Sequence, residues 1–263
     1  MNTPSEAHPV SITLPGVFAT LLVFAVAVVC VRLGFWQLDR LAERRARNAQ
    51  VEARLEAAPA VLDAPPSDTA GWLNRRVTLT GTYDEERSIV YAGRAYGGVP
   101  GVHVLAPLTL EKTGARVLVN RGWLPAADAA TPDLALAHVP GTVRVTGVVV
   151  PFPGGSSPVA RGVTVRQQDA EGGFRKTWFA IDPDAIRAQF PYALGGITVQ
   201  VLPEPGAPPW PARLPAPALD EGPHLGYTIQ WFSFALIAIV GWAIMVMKSR
   251  ARGIASPPTT EHS

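Results

Sequence analysis

Two long stretches without a charged side chain decide what this chain can fold into. Leu14–Val31 and Tyr227–Met247 contain no Asp, Glu, Lys or Arg, and about 20 apolar residues are what an α-helix needs to cross a hydrocarbon core. In lipid, backbone groups must pair within their own segment, so both stretches are predicted to be transmembrane helices. The first reads as an uncleaved span, because no Lys or Arg precedes the apolar run and no small-residue cleavage pattern follows it.

Between the spans lies enough chain for one domain with its own core. Val77, Leu79 and Tyr83 alternate with Thr78, Thr80 and Thr82, the period of a strand. Residues 88–91, 102–110, 117–120, 142–150 and 197–202 are further strand candidates, separated by Gly and Pro pairs such as Gly97-Gly98 and Pro140-Gly141. Asp182 followed by Pro183 signals the start of one short helix, ending near Gln189. Residues 154–173, rich in Gly and Ser, read as a long excursion. Residues 203–217 hold seven prolines and read as a semi-rigid spacer returning the chain to the membrane. The predicted fold class is a membrane protein: two transmembrane α-helices flank one mostly-β domain, an antiparallel barrel or sandwich with a short helix. The predicted division is a tail (1–12), a first helix with an extramembrane extension (13–58), the β domain (59–202), a Pro-rich linker (203–221), a second helix (222–247) and a basic tail (248–263).

Charge gives two opposed readings of orientation. Lys248, Arg250 and Arg252 follow the second span, which makes that tail cytoplasmic and the central domain external. Arg32, Arg40, Arg44, Arg45 and Arg47 follow the first span, which by the same rule places the domain inside. The bland reading of this arginine run is a solvated helix face near lipid headgroups.

Composition removes several function classes. Cys30 is the only cysteine and there are three methionines, which excludes intramolecular disulfides, C-x-x-C redox chemistry, covalent haem attachment through C-x-x-C-H and a Met-rich copper carrier. The basic residues form no nucleic-acid-like patch, and the nucleophile elbow, P-loop, dinucleotide and H-E-x-x-H patterns are missing. The five histidines, His8, His103, His138, His224 and His262, show no metal-ligand spacing on one element.

The chemistry concentrates at the mouth of the second span, in Gly222-Pro223-His224-Leu225-Gly226-Tyr227-Thr228-Ile229-Gln230-Trp231-Phe232. At about 100° per residue, His224, Tyr227 and Trp231 fall along one stripe of a helix. A chain that crosses twice brings Trp36 and Gln37 out on the same side as His224. The positive end of a helix dipole disfavours imidazolium, so position 224 favours the form that can ligate a metal. Equally, a histidine at a helix mouth serves as an interfacial or capping residue, and Trp36 and Trp231 serve as belt anchors.

Four blocks carry a resemblance. Leu33-Gly34-Phe35-Trp36-Gln37-Leu38-Asp39-Arg40, the run Tyr91-Ala92-Gly93-Arg94 with Pro100-Gly101-Val102-His103-Val104 and Pro107-Leu108, the block Val117-Leu118-Val119-Asn120-Arg121-Gly122-Trp123-Leu124-Pro125, and the His224–Phe232 stretch occur in this order. Together they resemble the Surfeit locus protein 1 family of cytochrome c oxidase assembly factors over nearly the whole chain. Thr228 stands where the family pattern has Ala, and residues 154–173 have no clear counterpart. The resemblance implies a bacterial inner-membrane protein with both termini cytoplasmic and the domain periplasmic. It implies a non-enzymatic role in maturing oxidase subunit I, with haem A synthase as a further partner. It also implies binding of haem A, with His224 as axial iron ligand and Tyr227, Trp231, Trp36 and Gln37 around the porphyrin. Arg94, Arg121, Gly122 and Trp123 are carried over as a partner-binding or structural motif, and Arg121 stacked on Trp123 is its simplest structural reading. Two other readings stay open: a scaffold that never touches haem, and an unrelated membrane-anchored enzyme.

Overall fold

The computed structural model describes residues 16–153 and 173–254. In chain order its elements are α1 (Val17–Glu56), β1 (Ala60–Val61), α2 (Thr69–Trp72), β2 (Arg76–Tyr83), β3 (Ile89–Tyr96), β4 (Val99–Leu110) and β5 (Arg116–Pro125). A short 3₁₀ turn (Leu134–Ala137) precedes β6 (Thr142–Pro151), and β7 (Thr177–Trp178), α3 (Pro183–Ala188), β8 (Ile197–Val201) and α4 (His224–Ile254) follow. The described residues form two compact units, 16–48 with 220–254, and 49–219. The 154–173 excursion lies outside the described residues up to its last glycine.

The first unit is an antiparallel helix pair, and both of its helices are long and apolar enough to cross a membrane. α1 buries Ala27, Cys30, Gly34, Gln37 and Leu41, alternating steps of three and four that keep one seam facing a neighbour. α4 answers with Thr228, Ala235 and Ser249. Small residues on both sides let the backbones approach closely, the usual basis of helix association where no hydrophobic drive exists. Gly34 shows how closely: a Cβ there would lie 2.6 Å from Phe232 Cε1. Phe35 packs edge-on to Phe232 at 5.4 Å and Phe24 to Trp242 at 5.2 Å, where the indole N–H donates to Thr20 Oγ1 at 3.3 Å. Beyond the apolar stretch, Arg44 and Asn48 donate to the Asp220 carbonyl at 2.9 and 3.1 Å, and Arg45 makes a two-pronged contact with Glu221. The arginine run is therefore more than a solvated face, for two of its side chains clasp the chain just before α4.

The second unit is an eight-stranded mixed sheet in the order β1-β2-β6-β8-β5-β4-β3-β7, with a further β2–β4 pairing. Most ladders are antiparallel, as the alternation predicts. β8 slots between β5 and β6, parallel to the first and antiparallel to the second. β1 and β7 also pair in parallel, with β2 and β3. Three strands run further than the sequence suggests. β3 and β4 meet across Gly97-Gly98, both at positive φ (57° and 80°), a two-residue hairpin that few other pairs can form. β5 continues through Arg121-Gly122-Trp123 to Pro125. Val77, Leu79, Leu108, Val119 and Val199 fill the main core, while Ile89, Leu118, Trp178 and Ile186 fill a second under α3. α3 starts as its signal predicts, with the Asp182 carboxylate accepting from the Asp184 and Ala185 N–H groups.

Candidate functional site

His224 opens α4, and its Nδ1 lies 2.8 Å from Oε1 of Gln37, which α1 buries in the seam. An amide oxygen only accepts, so Nδ1–H is the donor of this contact, and in the neutral ring the lone pair then lies on Nε2. Gly222 keeps the space beside that nitrogen clear: a Cβ there would lie 3.5 Å from Nε2, and its φ of +73° suits glycine. Thr228, where the family pattern has Ala, is buried and its hydroxyl donates to the His224 carbonyl at 2.9 Å. That i−4 back-bond gives the buried hydroxyl a partner inside the helix pair.

The other residues named from sequence sit around this pair at different exposures. Trp231 is half-buried, and it packs against Phe234 at 5.9 Å. Tyr227 and Trp36 are both 47% exposed, so the helix pair turns these aromatic faces outward and closes its own seam. Trp36 carries the Arg40 guanidinium at 5.6 Å, and with Arg32, Leu33 and Asp39 it lines a surface hollow of about 330 Å³.

In the second unit, Arg121 is the extra residue of a β-bulge: Val104 pairs with Gly122 but Leu105 with Asn120. A bulge re-aims a side chain, and here it sends the guanidinium into the domain, where 4% remains exposed. It donates to Glu85 Oε1 at 3.0 Å and to the Ala137 carbonyl, and its Cζ lies 4.2 Å from the Tyr83 ring. The expected stacking on Trp123 is thus replaced by stacking on Tyr83, because the bulge turns the two side chains apart. Glu85 also accepts from the Val139 N–H at 2.9 Å and contacts His138 Nδ1 at 2.6 Å. Burial pushes the Glu85 carboxyl up, but these hydrogen bonds outweigh it and hold the group below its usual range.

Gly122 and Trp123 anchor the Pro-rich segment. Trp123 and Ala212 exchange both backbone hydrogen bonds at 2.8 Å, and Trp123 packs between Tyr96 and Trp210. Gly122 has φ +130°, and a Cβ there would lie 2.4 Å from the Ala212 carbonyl oxygen. Residues 203–217 are consequently bound along the domain rather than a free spacer; Gln200 adds a bond of 2.7 Å to the Pro215 carbonyl. Arg94 stacks on Tyr91 at 3.9 Å beside His103. Burial, with Arg94 adding to it, pushes the His103 pKa down to about 4, so this histidine is neutral at physiological pH. Sequence reasoning missed Glu85, Tyr83 and Arg213, whose roles come from long-range contacts that no local pattern announces. Among the described residues no group of three His, Cys, Asp or Glu side chains could hold a metal ion.

The family model for the SURF1 family matches residues 24–236. A SURF1-like protein of Monosiga brevicollis is 32% identical over 98% of this chain and 98% of its own length. A SURF1-like protein of Mycobacterium bovis is 29% identical over 93% of this chain and 89% of its own. The cytochrome oxidase assembly protein Shy1 of Saccharomyces cerevisiae is 29% identical over 45% of this chain and 31% of its own. The seam that joins Gln37 to His224 and the bulge that buries Arg121 both lie within the matched span, and this chain belongs to the SURF1 family.

Proposed function

We propose that this protein is an assembly factor for a haem-copper oxidase, and that it holds haem A through His224. The observation that carries the haem reading is the 2.8 Å contact between His224 Nδ1 and Gln37 Oε1. Metal-binding histidines usually donate their second ring N–H to a fixed acceptor, which sets the tautomer and raises ligand basicity. Gln37 is such an acceptor, and Nε2 lies beside Gly222, which carries no side chain. When bound, haem A would supply an iron porphyrin with an apolar tail and two propionates. Trp36, Tyr227 and Trp231 offer aromatic surface to the macrocycle at the depth where Trp and Tyr sit in membranes. Because the seam is closed at Gly34 and Phe232, the macrocycle would lie against the outer faces of the helices rather than between them.

The assembly role rests on the family and on the yeast relative's name, a cytochrome oxidase assembly protein. In this reading the protein is not an enzyme, its partners are oxidase subunit I and haem A synthase, and it sits in a bacterial inner membrane. Both termini are cytoplasmic and the β domain is periplasmic, in keeping with Lys248, Arg250 and Arg252 after the second apolar stretch.

The test is an absorption spectrum of the detergent-purified protein from cells making haem A, beside its His224→Ala variant. The expected result is a haem A spectrum in the wild type that vanishes in the folded variant. No haem in the wild type, or equal haem in both, overturns the carrier reading and leaves a scaffold that stabilises an oxidase intermediate. Loss of oxidase assembly in cells lacking the protein is expected under either reading, and normal assembly there overturns both.

A further inference from the structure

A second candidate site lies in the β unit and includes no residue assigned to haem. Tyr83, Arg121, Arg144, Arg213 and Trp210 line a pocket of about 240 Å³ whose remaining walls are mainly valine and proline. Its volume falls below the range of about 300–1,000 Å³ usual for drug-sized ligands, so a porphyrin does not fit it. Three guanidinium groups line it and no Asp or Glu does. Arg121 and Arg213 have carboxylate partners elsewhere, Glu85 at 3.0 Å and Glu204 at 3.0 Å. Arg144 is exposed and forms no salt bridge among the described residues. Burial pushes Tyr83 up to about 12 against the pull of Arg121 and Arg213, so its hydroxyl stays a proton donor at neutral pH. The polar side chains of the pocket are therefore donors, and its walls are apolar.

We infer that this pocket binds a carboxylate carried on an apolar body of amino-acid size. Paired guanidinium donors match a carboxylate fork, and a wall of Trp210 and valines takes the hydrocarbon. The same chemistry occurs at a chain end and at an acidic side chain of a docking protein. Arg144, which forms no salt bridge among the described residues, and Arg213 are assigned to hold the carboxylate; Arg121 is fixed by Glu85 and stacked on the Tyr83 ring.

Calorimetric titration of the full-length protein in detergent, without haem, tests this with three probes. N-acetyl-leucine stands for a chain end, N-acetyl-glutamate N-methylamide for a side chain, and N-acetyl-leucinamide is the neutral control. At least one carboxylate should bind about tenfold or more tightly than the amide, as expected for a lost charge-assisted hydrogen bond. Which carboxylate binds better identifies the source. Arg144→Glu, a change on an exposed side chain, should abolish that preference, and Arg144→Gln should weaken it, with far-UV circular dichroism unchanged. Equal binding of the neutral amide, no binding of either carboxylate, or an unaltered preference in Arg144→Glu overturns the inference.

Discussion

Replacing Gly122 by Ala asks whether the glycine of the Arg-Gly-Trp block is there to seat the Pro-rich segment. At φ +130° the new residue is strained whatever its surroundings, at a cost of order 1–3 kcal/mol. Its Cβ would also stand 2.4 Å from the Ala212 carbonyl oxygen, so β5 and residues 210–213 must separate by close to an ångström. That separation breaks the two Trp123–Ala212 backbone hydrogen bonds, worth about 1 kcal/mol each. It also loosens Trp123 on Trp210, which adds roughly 0.5–1.5 kcal/mol. The sum is about 3.5–6.5 kcal/mol, or a fall in Tm of about 10–20 °C for a unit of this size. Gly98→Ala is the control: it too has positive φ, but its Cβ meets nothing within 4 Å, so it tests strain without the clash. Thermal unfolding of the detergent-purified chain gives the first readout, and limited trypsin digestion the second. Arg213 is tied to Glu204 and the Leu202 carbonyl in the intact fold; once the segment lifts, the Arg213–Leu214 bond becomes a tryptic site. A Gly122→Ala protein with the Tm of Gly98→Ala and an unchanged digest would refute the reasoning.

Gln37→Leu should lower haem affinity by about 10–100-fold and shift the haem absorption bands, whereas Gln37→Glu, which keeps an acceptor beside Nδ1, should retain both; a redox titration with spectra of the three proteins checks this, and identical behaviour of Leu and Glu would sink the orienting role. His103 should make the fold acid-sensitive in a defined window. The folded chain keeps it neutral down to about pH 4 while the unfolded chain protonates it near 6.5, so its contribution is complete above pH 6.5 and is lost as pH falls towards 4. The loss is up to about 3 kcal/mol, read as the drop in urea midpoint between neutral pH and pH 4.5. His103→Gln should show a smaller drop, and an equal one would refute the assignment.

What could be read from sequence and what could not divide along the range of the interactions. The apolar stretches, the strands of period two and the Asp182-Pro183 start of α3 depend on neighbours a few residues away, and each stands in the structure where its local pattern lies. The place of β8 does not: the five residues Ile197–Val201 read simply as a strand, and only long-range pairing sets them between β5 and β6, parallel to one and antiparallel to the other. The Pro-rich run misled for the same reason. Seven prolines describe a stiff chain, but the bridge from Trp123 to Ala212 decides where that chain lies. At the candidate sites, Gln37 and His224 were legible as neighbours because two crossings return the chain to one side. Tyr83, Glu85 and Arg213 were not, since the bulge at Arg121 that gathers them leaves no mark except a glycine.

The helix pair bears on whether His224 is an anchor or a ligand. Gln37 is a polar side chain in a seam otherwise made of Ala, Cys, Gly and Leu on its helix. Burying an amide without a partner costs free energy. A leucine at this seam position would continue the apolar packing at no such cost, so packing alone gives no reason for glutamine. Under the haem reading proposed above, the reason lies in what glutamine does to its hydrogen-bond partner. Its oxygen accepts a hydrogen bond from Nδ1–H, which in the neutral ring leaves Nε2 as the free nitrogen. An anchoring histidine needs no chosen tautomer, since water and headgroups satisfy either nitrogen. A ligating histidine does, and the conflict between seam packing and a buried amide is the kind that folds retain at functional sites.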